Sequence, residues 1–415
     1  MKKVCYSFFM LVSLVLLYSC DTKRHSATTT IPTDTLPAAE IVGKKIVRPK
    51  VPKEMRAVWL TTIYNLDWPT RRATTVQAEA SQREELCRIL DRLAADHFNT
   101  VFLQVRHRGD VIYPSQYEPY ALAFSGSRSS MGYDPLSFAI EECHKRGLQI
   151  HAWMVTFPLG NDRSSNHPPR SNHPSWCVKH RGEWQLNPGL PEVRAYIASL
   201  VRELVDKYPN LDGVHMDYVR YPDFAERFND TSAFRKYCPQ GTSRDEWRRG
   251  NITDLMKRIN DVVRKDHPSM MISCATLGRL KRLPEYPNIG WTCYEDVYQD
   301  PLTWSKLGLV DFVVPMMYHK GDYFFPFLDD WQAHSDEINV VPGLGVYRID
   351  EGRNSWDPKV IDEQMTYCRE KGMPGICFYR EANLTANKQI EEIVKRQFEE
   401  PVAPICRKVE PTEQK

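Results

Sequence analysis

The feature that most limits this chain is a rhythm. From residue 55 onward, short runs rich in β-branched and aromatic residues alternate with segments whose apolar residues recur every three or four positions. Such alternation favours parallel strands joined by crossover helices, because a parallel neighbour can be reached only by a long return connection. Strands are expected over 55–62, 99–106, 148–155, 211–219, 270–277, 310–317, 339–346 and 375–379. Helices are expected over 81–96, 135–146, 192–207, 244–265, 301–306, 328–335 and 360–371. The first helix places Leu86, Ile89, Leu90 and Leu93 on one face; the third repeats Val193, Tyr196, Ile197, Leu200, Val201 and Leu204. Eight strand units match the (β/α)8 count. An open doubly wound sheet would be signalled by a Gly-rich phosphate loop after a strand, and none is present. The expected fold is therefore α/β, a (β/α)8 TIM-type barrel with long βα loops.

The ends do not share the rhythm. Lys2 and Lys3 precede an apolar run over 8–17 that closes on Leu17-Tyr18-Ser19-Cys20, the form of a lipoprotein signal peptide over 1–20. Cys20 would then carry the lipid, giving membrane attachment through an N-terminal anchor and a cell-envelope location on the periplasmic or surface side. Residues 21–53, rich in Thr, Pro and charge, read as a disordered tether. The folded body is expected over 54–400, followed by a flexible tail over 401–415 with Pro401, Pro404 and Pro411. A net charge of +2 gives no reason to expect a nucleic-acid partner. The 11 cysteines are scattered without zinc spacing, and no cofactor is expected.

In such a barrel the chemistry gathers at the C-terminal ends of the strands and in the loops beyond. On strand four, His215 and Asp217 share one face and Val214 and Met216 the other, which points the polar pair into the barrel. Gln104 with Arg106, and His151 with Trp153, alternate the same way on strands two and three. Each histidine alone reads as a hydrogen-bonded core residue; together with Asp217 they read as a site. A carboxylate at that position is costly to bury without purpose. Trp59, Trp68, Trp153, Trp291, Tyr318 and Tyr347 fall at or beyond strand ends, where aromatic faces stack on sugar rings. Arg106, His151 and His215 join the aromatics Trp59, Trp68, Trp153, Tyr318 and Tyr347 as substrate-binding candidates. Glycosidic cleavage uses one carboxyl group as acid and a second as nucleophile or base. Asp217 is expected in the second role, with a partner among the loop acids Asp110, Glu295, Asp296, Asp300 and Glu381.

Ordered motifs carry a resemblance. Met55-Arg56-Ala57-Val58-Trp59-Leu60, Asn65-Leu66-Asp67-Trp68-Pro69, Gly109-Asp110, Tyr113-Pro114-Ser115, Asp134-Pro135-Leu136, His151-Ala152-Trp153 and Asn187-Pro188-Gly189 resemble the glycosyl hydrolase-like 10 family. So do His215-Met216-Asp217 with Tyr221-Pro222, Trp247-Arg248-Arg249 with Asn251, Tyr294-Glu295-Asp296 with Asp300 and Trp304, and Pro315 with Tyr318. The resemblance implies a (β/α)8 barrel and a glycoside hydrolase of cell-wall or related amino-sugar polysaccharide. It extends to a divisome-localised glycosidase that acts on peptide-free peptidoglycan strands. Asp110, Asp217, Asp296 and Asp300 fall on the family pattern and Glu381 does not, leaving Asp217, Asp110 and Asp296 as the catalytic candidates. The strand lacks the Glu two residues beyond the last Asp that a chitinase-type strand four carries, and it lacks a closing Asn-Glu pair. Substrate-assisted hydrolysis by an N-acetyl group is an alternative to a protein nucleophile. Two readings from other classes stand beside this one. The first is a non-catalytic glycan-binding lipoprotein. The second is zinc chemistry on His151, His215 and Asp217, for which no HxxE or HExxH pattern is present.

Overall fold

A computed structural model describes residues 53–407, apart from 127–129, 163–166 and 288–289; the expected signal peptide, Cys20 and nearly all of the tether lie outside the described residues. Eight parallel strands close into a barrel in sequence order. They are β1 (Met55–Leu60), β2 (Thr100–Arg106), β3 (Gln149–Val155), β4 (Gly213–Asp217), β5 (Met271–Leu277), β6 (Phe312–Met316), β7 (Gly343–Leu344) and β8 (Gly375–Phe378). The principal helices around them are α1 (Val76–Ala95), α2 (Pro135–Lys145), α3 (Pro191–Lys207), α4 (Arg244–Asp266), α5 (Pro301–Lys306), α6 (Phe325–Ala333), α7 (Lys359–Glu370) and α8 (Lys388–Gln397). Among the described residues, no helix is long and apolar enough to cross a membrane.

Local chemistry sets the helix ends. Asp134 caps α2 by accepting from the amides of Leu136 and Ser137, with Pro135 in the first turn. Ser243 and Glu246 form a reciprocal capping box on α4. Thr75 accepts from Ala78 N, so α1 begins five residues before the expected position 81. Strand seven is shorter than the expected 339–346: only Gly343–Leu344 pair as a strand, with an isolated bridge at Val340. Pro342 interrupts this stretch and has no N–H to give the ladder.

Side-chain alternation divides two cores. Inside the barrel lie Met55, Ala57, Trp59, Phe102, Trp153, Met271, Ala275, Phe312, Val314, Val341 and Cys377. Their neighbours in sequence, such as Val58, Leu103, Ala152, Val214, Met216 and Val313, pack outward against the helices. Two inward glycines make room for large rings. A Cβ on Gly213 would stand 2.3 Å from His151 Nδ1, and one on Gly343 2.8 Å from Trp59.

Two features depart from expectation. After β3 the chain forms a small antiparallel sheet from Pro158–Gly160, Cys177–His180 and Glu183–Leu186. Its hairpin turns on Arg181 and Gly182, both at positive φ, the conformation of a tight two-residue turn. The segment 401–407, expected to be flexible, runs back along the N-terminal side of the strands. Val402 and Ile405 accept hydrogen bonds from Asn99 and Gln149, Ala403 accepts from Glu54 N, and Ile405 packs on the inner core.

Candidate active site

Asp217 is the last residue of β4, is 5 % exposed, and opens onto the C-terminal mouth. The next residue, Tyr218, has φ 51, so the chain turns sharply and its amide donates to Asp217 Oδ1 at 2.7 Å. Trp153 of β3 donates from Nε1 to Asp217 Oδ2 at 3.0 Å. Thr156 donates from N and Oγ1 to the Asp217 carbonyl at 2.9 and 2.8 Å, joining the two strand ends. Burial lifts the Asp217 carboxyl to about 6, against the pull of the Tyr218 amide, the Trp153 indole and the Arg220 charge. That environment lets Asp217 hold a proton up to about pH 6, well beyond a free carboxyl, and suits an acid better than the nucleophile or base expected from the sequence.

Below Asp217 the barrel is filled by rings. Trp59 Nε1 donates to His215 Nε2 at 3.1 Å. Since an indole only donates, His215 carries its proton on Nδ1 and gives it to Ser273 Oγ at 2.9 Å. His215 stacks on Phe102 at 4.3 Å, and burial pushes its proton affinity well down. It is a neutral spacer that fixes Trp59. His151 lies fully buried and one step deeper, paired in register with Gly213; neither ring nitrogen has a partner, and burial lowers it to about 4. The alternative zinc set does not converge: both His215 nitrogens are engaged and His151 sits in the layer below. No cluster of three or more His, Cys, Asp or Glu among the described residues could hold a metal.

Tyrosines line the far side of the mouth. Tyr318 and Tyr379 stack at 5.5 Å, and Tyr347 meets both edge-on at 5.6 Å. Tyr379 also meets Trp59 at 6.0 Å. All three tyrosines are half-buried, whereas Tyr218 is 41 % exposed and Tyr64 49 %. These are faces and hydroxyls suited to a sugar.

Other candidates go elsewhere. Trp68 is fully buried against Phe124 and donates to Gln82 O, on the helix side and away from the mouth. Arg106 is buried, paired with Glu118, and ties down the Val155 and Thr156 carbonyls. Asp110 pairs with His107 Nδ1 at 3.2 Å; burial raises its carboxyl, but the charge and hydrogen bond of His107, with His167 and the Arg108 amide, together hold it low. His107 in turn contacts Thr62 Oγ1 at 2.5 Å, so Asp110 anchors the loop after β1. Asp296 accepts from Thr292 N and Oγ1 and pairs with Arg282. Asp300 caps α5 through Thr303 N. Glu381 is buried against Arg92, and burial lifts it to about 7. No carboxylate among the described residues acts on Asp217; its charged neighbour is Arg220. A groove of about 650 Å³ beside Gln116, Tyr117, Arg202, Glu203 and Lys207 lies on the flank of α3, toward the end remote from the mouth.

Tyr218, Arg220 and Tyr379 were not singled out from the sequence. Tyr379 was open to the same alternation that picks out Asp217, being two residues beyond the inward Cys377. The positive φ at Tyr218 leaves no such trace.

Comparison with known proteins agrees with this architecture. The glycosyl hydrolase-like 10 model matches residues 54–359. "Glycosyl hydrolase YngK" of Bacillus subtilis (strain 168) is 29 % identical over 360 residues, which cover 82 % of this chain and 66 % of that protein, just under two thirds of its length. "Glycosyl hydrolase DigH" of Escherichia coli (strain K12) is 30 % identical over 373 residues, covering 82 % of this chain and 83 % of that one. Among solved structures, the PgaB (BpsB) glycoside hydrolase domain from Bordetella bronchiseptica superposes with TM-score 0.56 at 15 % identity, covering 82 % and 98 % of the two chains. The endo-beta-1,4-mannanase from Thermotoga petrophila gives 0.55 at 9 % identity, covering 84 % and 77 %. At such identities the structural likeness speaks for the fold alone. By the family match over residues 54–359, which takes in seven of the eight barrel strands, the chain belongs to the glycosyl hydrolase-like 10 family, and its class is that of the glycoside hydrolases.

Proposed function

We propose that the chain hydrolyses a cell-wall amino-sugar polysaccharide, of which peptide-free peptidoglycan glycan is the type, with Asp217 as general acid. The observation that carries this reading is a buried carboxyl lifted to about 6 at the floor of a tyrosine-lined mouth. A retaining enzyme with a protein nucleophile needs a second carboxylate roughly 5 Å away, and none among the described residues acts on Asp217. An N-acetyl group on the substrate fills the gap. Asp217 gives its proton to the glycosidic oxygen as the C1–O bond breaks, and the acetamido oxygen bonds to C1. Water then opens that ring, and Asp217 takes back a proton. Trp153 and the Tyr218 amide hold the carboxylate left after the first step. Asp110 and Asp296 support the loops in this scheme, and Trp59, Trp153, Tyr318, Tyr347 and Tyr379 shape the pocket.

The test is mass spectrometry of products from peptide-free peptidoglycan, with wild type beside Asp217→Asn. New reducing ends from wild type and none from the variant are expected. Undiminished turnover in the variant would overturn the role of Asp217. Retention of the glycan without cleavage by wild type would leave the non-catalytic binding lipoprotein. The reading extends to a lipid anchor on Cys20, checked by labelling with a fatty-acid analogue in wild type and Cys20→Ala.

A further inference from the structure

One guanidinium at the mouth has no counter-charge among the described residues. Arg279, two residues beyond β5, is 6 % exposed, and its Nε is buried with no partner. No carboxylate among the described residues pairs with it. Its plane lies over Phe327 at 5.2 Å and Tyr323 at 5.8 Å. The other buried arginines all have a carboxylate partner: Arg56, Arg106, Arg194, Arg220 and Arg248 pair with Glu54, Glu118, Asp254, Asp223 and Asp230. A cation withdrawn from water without a partner is expensive, and one kept in that state calls for an explanation.

A second cation stands nearby. Arg348, beyond β7, pairs through Nη1 with Glu351 at 2.8 Å, while its Nε is buried and unpartnered. It lies over Tyr347 at 5.1 Å and Trp356 at 5.8 Å. His319, beyond β6, feels both charges; burial first, then Arg279 and Arg348, hold it neutral. Tyr347 links this group to Tyr318 and Tyr379 above the barrel floor.

We propose that Arg279, with Arg348 beside His319, forms an anion subsite on the rim of the barrel mouth that takes the free carboxylate of an acidic amino-sugar residue. This deepens the preceding reading and rests on it for the identity of the glycan. A planar guanidinium with idle donors matches a carboxylate fork, whereas a neutral hydroxyl leaves the buried charge unanswered. Stripping the peptide from a wall glycan frees such a carboxylate, which a peptide-bearing strand holds as an amide. The charge that acts on Asp217 is that of Arg220, and neither Arg279 nor Arg348 is among the groups that shift it. The contribution of the subsite belongs to binding.

Calorimetric titration of the full chain with peptide-free wall oligosaccharide, and with the same oligosaccharide after reduction of its carboxylates to alcohols, tests this. Wild type should bind the carboxylated form on the order of 10- to 100-fold more tightly, the usual worth of a charge-assisted hydrogen bond. Arg279→Gln should close that gap, and Arg348→Gln should narrow it; in turnover the loss should appear in KM and not in kcat. Arg279→Lys keeps the charge without the fork and should fall between. Equal affinity of wild type for the two ligands overturns the subsite. So does an equal loss on both ligands in an Arg279→Gln chain with an unchanged melting curve. Should Arg279→Gln fail to fold, the wild-type comparison and Arg348→Gln decide the matter. A carboxylate preference without new reducing ends would remove hydrolysis and keep the subsite; cleavage without preference would do the reverse.

Discussion

Replacing Asp217 by Asn should favour the fold increasingly as pH rises. In the unfolded chain this carboxyl titrates near 3.8, and in the fold burial lifts it to about 6. Its folded pKa is raised, so between those values the folded state holds the proton that the unfolded state has released. The neutral acid is accommodated below 3.8, and stability is then lost progressively until pH has passed 6. At about 1.4 kcal/mol per unit, a shift of roughly two units puts the full penalty near 3 kcal/mol above pH 7. The Arg220 attraction and the Trp153 and Tyr218 hydrogen bonds are already contained in that value. Asn has nearly the same shape and no charge to desolvate, although its NH2 cannot accept, so either the Trp153 indole or the Tyr218 amide loses its acceptor at a cost of about 1–3 kcal/mol that does not vary with pH. The stability of the variant relative to wild type should therefore rise by about 2–3 kcal/mol between pH 4 and pH 8, with the rise complete once pH has passed about 6 to 7. Urea unfolding of both proteins in parallel at those pH values gives the difference directly, because every other titrating group is common to both. A difference between variant and wild type that is the same at every pH would refute the account of a strained, proton-holding carboxyl.

Four further outcomes follow from particular contacts. As general acid, Asp217 must be protonated, so kcat/KM should fall as pH rises through about 6; Trp153→Phe removes a donor to the ionised form and should move that limb upward by up to about one unit in a pH–rate profile. His151 is lowered to about 4 from an unfolded value near 6.5, so its contribution to stability is lost as pH falls between those values; His151→Leu should stabilise by ~1 kcal/mol at pH 8 and by a larger margin at pH 4, measured by urea midpoints. Gly213→Ala drives a methyl against His151 and should cost about 1–3 kcal/mol, with much of that cost removed in the His151→Ala background of a double-mutant cycle. Truncation after Glu400 removes Ile405 from the inner core and the bonds from Asn99, Gln149 and Glu54, and should lower the thermal midpoint by several degrees.

The barrel was legible because its evidence is repeated. Eight separate alternations must agree, and an error in one, such as the strand shortened at Pro342, leaves the closure intact. Single events were not legible. The turn at Arg181 and Gly182 lacks the usual Asn-Gly signal, so the small sheet after β3 was not anticipated. The tail at 401–407 reads as loose by its prolines, and only the exposed end of the inner core gives Ile405 a place to go. For the site, alternation along a strand fixes direction, which is why Trp59, Trp153, His215 and Asp217 meet. It says nothing about a loop acid, whose partner comes from another loop; the Arg282 that pairs with Asp296 stands fourteen residues before it.

The family motifs themselves divide along the same line. Those on strand ends, in β1, β3 and β4, supply Trp59, Trp153, His215 and Asp217 to the mouth. Those beyond the strands hold the scaffold. Arg248 lies between the rings of Tyr221 and Tyr298 and pairs with Asp230, Asn251 joins Arg194 to Tyr221, and Asp300 caps α5. A motif match therefore mixes two kinds of constraint, one on reacting groups and one on the loops that aim them. Asp217 keeps its raised hold on a proton only while it stays buried, and the chain just beyond it is held by Tyr221, whose amide bonds to Val297 O beside the Arg248 network. Loosening Arg248 should then let water reach Asp217 and lower its titration point while leaving every mouth residue in the sequence. An Arg248→Met chain that keeps the wild-type pH–rate limb would break this link between the two halves of the motif.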